Sequence, residues 1–482
     1  MSNKPNPLRK SNKEPISQNT LERAQAAKEY IERKFLRLKK MQEEKQEEWT
    51  TLRERMNEMN LSNTDKQLIT QEIQHKEAEL LRKKRQKISV FDFEPLAIIG
   101  KGAFGEVRLV RNTNTGEIAA MKKMSKSDLV FKNQIKHIRA ERDVMALANN
   151  PWVVQLKYSF QDEKYLYLVM EYLPGGDLMT LLIRKNVFTE EEARFYIAEA
   201  ILAVDSTHKL NYIHRDLKPD NILIDATGHV KLTDFGLSKH IEINPLTDRE
   251  TLDIDEVQYK KLMEKRAESR RNRKLAYSTV GTPDYIAPEV FHKEGYCETV
   301  DWWSIGVILF EMVVGYPPFF SEEPADTCQK IVSWQKHFTI PAEARLSPAL
   351  SDFIRRLIAP SETRLGNRGV EEIKRHPFFR GFDWDHIREM TPPMVPNIEN
   401  EIDTSNFDKH EETEPFYPNL PMRKKKARQD PNFVGFTFKR DVDNQRLGLI
   451  SVLEELEKIK ASRPRPAVTR ELNINVSFDY SS

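Results

Sequence analysis

Apolar residues recur at helical spacing near the start of the chain and in strand-like runs further on. Between Thr20 and Met59 there is no proline or glycine, and Leu21, Ala24, Ala27, Tyr30, Ile31, Phe35, Leu38 and Met41 fall three, four or one apart. That is the stripe of one helix face. Residues 60–65 interrupt it. Thr64 with Gln67 three positions later predicts a capping box, opening a second helix to about Lys87 with Leu68, Ile69, Ile73, Leu80 and Leu81 as its apolar positions. An amphipathic pair of this kind cannot close a core alone. It is a coiled-coil spacer, a pair packed on the next domain, or a docking platform for a partner. Arg23, Lys28, Arg33, Lys34, Arg37, Lys39 and Lys40 load the first helix with positive charge, which suits an acidic partner or a solvated face. From Phe91 the pattern changes. Leu96-Ala97-Ile98-Ile99 and Val107-Arg108-Leu109-Val110 are strand-like, and beyond Gly175 the spacing turns mainly helical up to about Phe382. A long tail rich in proline and acids then wanders to Ser482.

The chain has 482 residues, 39% hydrophobic and 31% charged, enough for a large core with polar extensions. Its net charge is only +2, so no global field draws it to nucleic acid and any basic surface is local. Cys297 and Cys328 make no disulfide framework, which fits a reducing cytoplasmic or nuclear setting. Met1 to Glu14 lacks the apolar core of a signal peptide, and residues 1–19 read as disordered. No stretch approaches about 18 uninterrupted apolar residues, so no membrane span is expected.

Candidate chemistry gathers in the middle of the chain. Gly100-Lys101-Gly102-Ala103-Phe104-Gly105-Glu106-Val107 lies between two strand-like runs, where Gly100, Gly102 and Gly105 let a hairpin close over phosphates. The spacing alone is weak, since a dinucleotide-binding turn shares it, but here a strand follows rather than a helix. Lys122 comes late in a third such run, and Glu141 in a helical stretch is spaced to be its ion-pair partner. The decisive cluster is His214-Arg215-Asp216-Leu217-Lys218-Pro219-Asp220-Asn221, followed by Asp234-Phe235-Gly236. Asp216 would orient a hydroxyl and take its proton, and Lys218 would neutralise a transferring phosphoryl group. Asn221 and Asp234 would hold the Mg²⁺ ions that bridge the phosphates of ATP.

These motifs resemble the eukaryotic protein kinases, and within them the AGC group, over residues 91–380. The resemblance implies an α+β, bilobal protein-kinase fold: a β-rich N-lobe and helical C-lobe, with an N-terminal helical extension (20–90) and an AGC C-terminal tail (381–482). It places Val107, Ala120, Leu223 and Thr233 around the adenine of ATP, with Phe104 in the hairpin, Met170 as gatekeeper and Glu171 to Leu173 as hinge. Gly281-Thr282-Pro283-Asp284-Tyr285-Ile286-Ala287-Pro288-Glu289 resembles the loop that faces the substrate. There Thr282 favours Ser/Thr acceptors, Glu289 pairs with Arg364, and Asp301 braces the catalytic loop. Asp177, Asp220 and Glu311 stand where AGC kinases place acids that receive upstream arginines, so basic protein substrates are expected.

Further features narrow the family. Asn406-Phe407-Asp408 is similar to the tail element that lays a phenylalanine near the nucleotide, and Phe433-Val434-Gly435-Phe436-Thr437-Phe438 to the AGC hydrophobic motif. Residues 237–286 form an activation segment longer than kinases in general carry, with an insert at 240–275 whose basic middle holds Lys265, Arg266, Arg270, Arg271, Arg273 and Lys274. Insert, extension and motif together resemble the NDR/LATS family, NDR more than LATS because the N-terminal region is short. That resemblance implies a Mob-family coactivator on the extension, autophosphorylation at Ser278 and phosphorylation of Thr437 by an upstream Ste20-like kinase. It also implies an autoinhibitory insert. A solvated linker or nuclear-import signal is the rival reading of the insert, and Arg423-Lys424-Lys425-Lys426-Ala427-Arg428 has the same two readings. One departure stands out: where these kinases often carry Lys-Glu-Thr-Glu, this chain has Lys76-Glu77-Ala78-Glu79, and Ala78 cannot be phosphorylated. The alternatives are another AGC subfamily without Mob affinity, an inactive scaffold of the same fold, which intact Lys122, Asp216, Asn221 and Asp234 oppose, and a nucleic-acid-binding protein, for which no motif is present.

Overall fold

The computed structural model describes residues 18–58, 62–102, 105–132, 134–240, 283–291, 297–412, 415–417 and 430–440. The chain divides into two units, one of residues 1–87 and 441–482 and the other Ile88–Arg440. Phe104, Ser278, Thr282 and all but the first residue of the basic insert lie outside the described residues.

In the first unit, α1 (Gln18–Glu58) is one helix of 41 residues and α2 is Asn63–Arg85. Helix therefore begins inside the stretch expected to be disordered. The cap of α2 also differs from expectation. Ser62, not Thr64, opens it: the Ser62 hydroxyl accepts from the Asp65 amide at 3.1 Å and donates to the Asp65 carboxylate at 2.7 Å. Aspartate supplies the same acceptor as the expected glutamine on a shorter arm. Leu52, Met56, Ile69 and Ile73 are buried, whereas Phe35 and Leu68 of the predicted stripes are exposed. The charge on α1 is partly offset along its own face by Lys28–Glu32 and Lys39–Glu43, both 3.8 Å and exposed. Such pairs add little stability.

The second unit opens with an antiparallel sheet of strand order β1-β2-β3-β5-β4-β10. Its strands are β1 (Phe93–Gly102), β2 (Gly105–Asn112), β3 (Ile118–Ser125), β4 (Leu156–Gln161), β5 (Tyr165–Glu171) and β10 (Phe438–Lys439). Two helices, α3 (Lys126–Phe131) and α4 (Ile135–Leu147), follow β3. Side chains alternate across the sheet with period two, and the register shows which share a face. Gly100, Val107 and Lys122 are aligned in one row, and Lys101, Glu106 and Lys123 in the next, on the opposite face. Gly105 is required where β2 meets β3: a Cβ there would stand 1.8 Å from the Lys123 carbonyl oxygen.

The helical part comprises α5 (Leu178–Lys185), α6 (Glu190–Lys209), α7 (Thr299–Val314), α8 (Pro324–Val332), α9 (Trp334–His337), α10 (Pro348–Leu357) and α11 (Val370–Lys374). Short ribbons β6 (Tyr212–Ile213) with β9 (Lys239–His240), and β7 (Ile222–Ile224) with β8 (Val230–Leu232), carry the loops between α6 and α7. Every residue of α7 from Thr299 to Val313 is buried, making it the axis of this lobe. Among the described residues no helix is long and apolar enough to cross a membrane.

The tail does not wander over its described part. Arg388 lies over the Trp152 ring at 4.5 Å and donates to the Asp225 carboxylate and the Val230 carbonyl, both at 3.1 Å. Asn406 donates to the Pro174 carbonyl at 3.0 Å and accepts from Arg184 at 2.9 Å. Gly176 makes room for it: its backbone is left-handed (φ +77), and a Cβ would come within 2.8 Å of the Asn406 carbonyl oxygen.

Candidate active site

The cleft between sheet and helices holds the sequence-predicted catalytic residues, with Lys122 on β3, Glu141 on α4, and Asp216, Lys218 and Asn221 on the loop between β6 and β7. Lys122 projects from β3 on the same face as Val107 and Ala120. Its ammonium is 2.6 Å from Glu141 of α4 and 3.6 Å from Asp234. Burial pulls the lysine pKa down, but the two carboxylates outweigh it and hold it above its ordinary value. Asp234 is held below the carboxylate range, chiefly by Lys122. Its backbone is left-handed (φ 56), a conformation non-glycine residues adopt rarely, and its carboxylate accepts from the Gly236 amide at 3.4 Å.

Asp216 and Asn221 are joined across the catalytic loop. The Asn221 amide nitrogen donates to the Asp216 carbonyl at 2.7 Å and to its carboxylate at 3.2 Å. Lys218 is 4.0 Å from the same carboxylate. Burial raises the Asp216 pKa, with Lys218 opposing, which moves it toward the value a proton acceptor needs. The loop is braced from below by Asp301, which is fully buried at the start of α7. It accepts from the backbone amides of His214 and Arg215, each at 2.9 Å, and bonds the His208 ring at 2.7 Å. Those bonds overcome burial and keep Asp301 ionised. Arg364, fully buried, grips Glu289 with two guanidinium nitrogens, one at 3.0 Å. That fork fixes the end of the substrate-facing loop.

Ala120 is opposite Met170 in the β3–β5 register, and Leu223 and Thr233 lie on the β7–β8 ribbon and just after it. The Glu171 side chain is committed to Lys231 (2.7 and 2.9 Å) and to the Gln155 amide (2.7 Å), which leaves the backbone of the expected hinge as its ligand-facing part. Tyr172 donates to the Asp403 carbonyl at 2.5 Å and packs on the Phe407 ring at 5.8 Å.

Of the three acids expected at the substrate side, Asp220 is within electrostatic reach of both Asp177 and Glu311. Asp177 caps α5 by accepting from the Thr180 amide at 2.7 Å, and burial plus the Asp220 and Asp408 carboxylates raise its pKa. Glu311 is buried. It accepts from the Tyr285 hydroxyl at 2.6 Å, and burial with Asp284 and Asp220 pushes its pKa up to about 7.

Several side chains that sequence reasoning missed hold α4 and β4 to the hydrophobic motif. Phe433 and Phe436 are buried. Arg139 donates to the Asn432 carbonyl at 2.6 Å, Arg142 to Gly435 at 2.8 Å, Ser159 to Phe436 at 2.5 Å and Gln161 to Phe433 at 2.7 Å. Thr437 itself is exposed, and the next two residues add β10 to β4. Arg139 and Arg142, flanking Glu141, were the available signal.

Among the described residues no group of three or more His, Cys, Asp and Glu could form a protein-only metal cage. The donor set does fit Mg²⁺, which takes one or two carboxylates and completes its shell with waters and phosphates. Asn221 commits its amide nitrogen to Asp216, leaving its side-chain oxygen as donor beside the ionised Asp234.

Fold and site define a protein kinase, and the protein kinase domain family matches residues 93–379, with the protein kinase C terminal domain at 398–438. The chain is 44% identical to the probable serine/threonine-protein kinase ndrB of Dictyostelium discoideum over 458 residues, 89% of this chain and 84% of that one. It is 44% identical to tricornered of Drosophila pseudoobscura pseudoobscura (88% and 95%) and 45% identical to sax-1 of Caenorhabditis elegans (88% and 91%). The chain belongs to the NDR/LATS family of AGC-group serine/threonine protein kinases.

Proposed function

We propose that this kinase transfers the γ-phosphoryl group of ATP to Ser or Thr in basic protein substrates, with the roles of its residues as follows. Asp216 accepts a hydrogen bond from the acceptor hydroxyl and takes its proton, and Lys218 offsets charge at the same point. Lys122, fixed by Glu141, orients the nucleotide phosphates. Asn221 and Asp234 hold Mg²⁺, which supplies neutralisation of phosphate charge. Asp177, Asp220 and Glu311 draw in arginines upstream of the acceptor. The observation that carries this reading is the assembled set Lys122–Glu141–Asp234 facing Asp216–Asn221.

Control is proposed at three levels: a Mob-family coactivator on residues 20–90, phosphorylation of Ser278, and phosphorylation of Thr437 by an upstream Ste20-like kinase, with the basic insert as a brake. The exposure of Thr437 beside seated Phe433 and Phe436 supports the third, since a phosphate can be added without unseating either ring. The full-length Asp216→Ala chain tests the whole. It should lose phosphorylation of an arginine-containing peptide and still capture a Mob coactivator. Retained phosphorylation would remove Asp216 from the chemistry, and loss of capture with a folded chain would remove the coactivator.

A further inference from the structure

We infer that Lys231 is a positioning residue for nucleotide, tying the hinge of the cleft to its floor through the Glu171 carboxylate. The slot expected to hold adenine takes its walls from different parts of the chain. Its roof, Val107 and Ala120, belongs to the antiparallel sheet, and the expected hinge leaves that sheet at Glu171, which is aligned with Ala119 across the β3–β5 pair. Its floor, Leu223, belongs to the β7–β8 ribbon of the helical part. Roof and hinge are therefore joined by strand pairing. Hinge and floor need other links. Main-chain bonds make the far one: the Gly175 amide donates to the Ile224 carbonyl at 3.1 Å, and the Ile224 amide to the Gly176 carbonyl at 2.9 Å. The near one, at Glu171, is made by a side chain.

Lys231 is directly opposite Leu223 in the ribbon, so the two side chains share one face. Their neighbours Ile222, Ile224, Val230 and Leu232 are buried on the other face, in the main core cluster. Lys231 reaches both oxygens of Glu171, at 2.7 and 2.9 Å, and neither side chain is more than 20% exposed. Both ends of this pair are seated. The Glu171 carboxylate also accepts from the Gln155 amide at 2.7 Å, and the Glu171 amide donates to the Gln155 carbonyl at 3.0 Å. On the lysine's own strand, the Leu232 amide donates to the Trp152 carbonyl at 2.8 Å, and the Leu232 carbonyl accepts from the Val154 amide at 2.9 Å. A shielded ion pair adds little net stability over an apolar pair of the same size; what its fixed geometry supplies here is register. With hinge and floor already held at one separation, adenine enters a slot with less ordering to do. Affinity then rises through Glu171, without a contact between Lys231 and nucleotide.

The inference rests on this slot being the ATP site, and one set of full-length variants separates the two. Wild type, Lys231→Met, Lys231→Arg, Glu171→Gln and the double variant Lys231→Met/Glu171→Gln are compared, with Lys209→Met as a control on an exposed lysine. The readouts are KM for ATP, ADP affinity by calorimetry, KM for a basic peptide, kcat and melting temperature. Lys231→Met should raise KM for ATP and weaken ADP by about tenfold, the lower end for losing a charge-assisted hydrogen bond shielded from water. Peptide KM, kcat and melting temperature of that variant should hold near wild type. Lys231→Arg should recover part of the loss, and Lys209→Met should change nothing. The double variant should lose no more than the worse single one, because both break the same pair. Unchanged ATP and ADP parameters in an active Lys231→Met enzyme would overturn the inference, as would losses that add in the double variant. So would a uniform decline of every parameter with melting temperature, which marks a merely structural contact. A folded wild type that binds no ADP and transfers no phosphate would instead overturn the site itself.

Discussion

Removing the Phe436 ring should uncouple the tail from the catalytic lysine. Phe436 is 1% exposed, packed in the main core cluster beneath the Arg142 guanidinium, whose centre is 5.7 Å from the ring. Truncating a ring buried to this degree costs about 3–5 kcal/mol. The carbonyl of residue 436 keeps its bond from Ser159, so the lower figure is the appropriate one. A shift of about 3 kcal/mol moves the seated-to-released equilibrium of the motif by roughly a hundredfold. Release would strip the Asn432 and Gly435 carbonyls from Arg139 and Arg142, freeing the helix that presents Glu141 to Lys122. Phe436→Ala should therefore lose activity on a basic peptide, show faster proteolysis of the tail and keep a folded kinase body. A synthetic peptide spanning residues 430–440, added in trans, should restore part of the activity. If proteolysis shows the tail released while kcat and KM for ATP remain at wild-type values, α4 does not depend on its seat and the reasoning fails.

A pH profile tests Glu311. With its pKa pushed up to about 7, the carboxyl is neutral below that pH and charged above it, so KM for an arginine-containing peptide should fall between pH 6 and 8 and flatten in Glu311→Gln. The same shift makes the folded chain the tighter proton binder. Its stabilising contribution is therefore present in acid and lost as pH rises through about 7. Arg364→Ala leaves Glu289 unpaired in a buried fork and should lower stability by about 3–5 kcal/mol, read by chemical denaturation. Neutralising Arg270, Arg271, Arg273 and Lys274 together should raise basal activity if the insert is a brake; unchanged or lower activity in a folded chain would refute that.

The proposed catalytic cluster was legible in the sequence because it is local. His214 to Asn221 carries the proposed base, lysine and metal-ligating amide within one loop, and Asp234-Phe235-Gly236 follows at short range, so residue order alone announces them. Lys122 and Glu141 are 19 positions apart, still within one strand–helix unit. The path of the tail was not legible beyond its two motifs. Arg108 meets Glu412 across 304 positions, and no spacing rule reaches that far. The capping of α2 failed for a smaller reason: Ser62 and Thr64 are both good caps, and only geometry decides between them. The enclosure of Glu311 was not legible because it comes from Tyr285, 26 residues away on another element.

Helix α4 is the point at which these contacts become mechanism. Arg139 and Arg142, one turn apart, face the hydrophobic motif, whereas Glu141 points a different way, into the cleft. A helix of 13 residues moves as a rigid body, so whatever seats one side fixes the other. The linkage is reciprocal. If seating the motif strengthens nucleotide binding by some factor, through Glu141 and Lys122, then nucleotide must strengthen seating of the motif by the same factor. The contacts are made by Phe433, Phe436 and main-chain carbonyls, so the coupling is expected to operate in the Thr437→Ala chain, at a level that a phosphate on that exposed residue would add to. A Thr437→Ala chain whose activity no longer responds to Phe436→Ala would refute it.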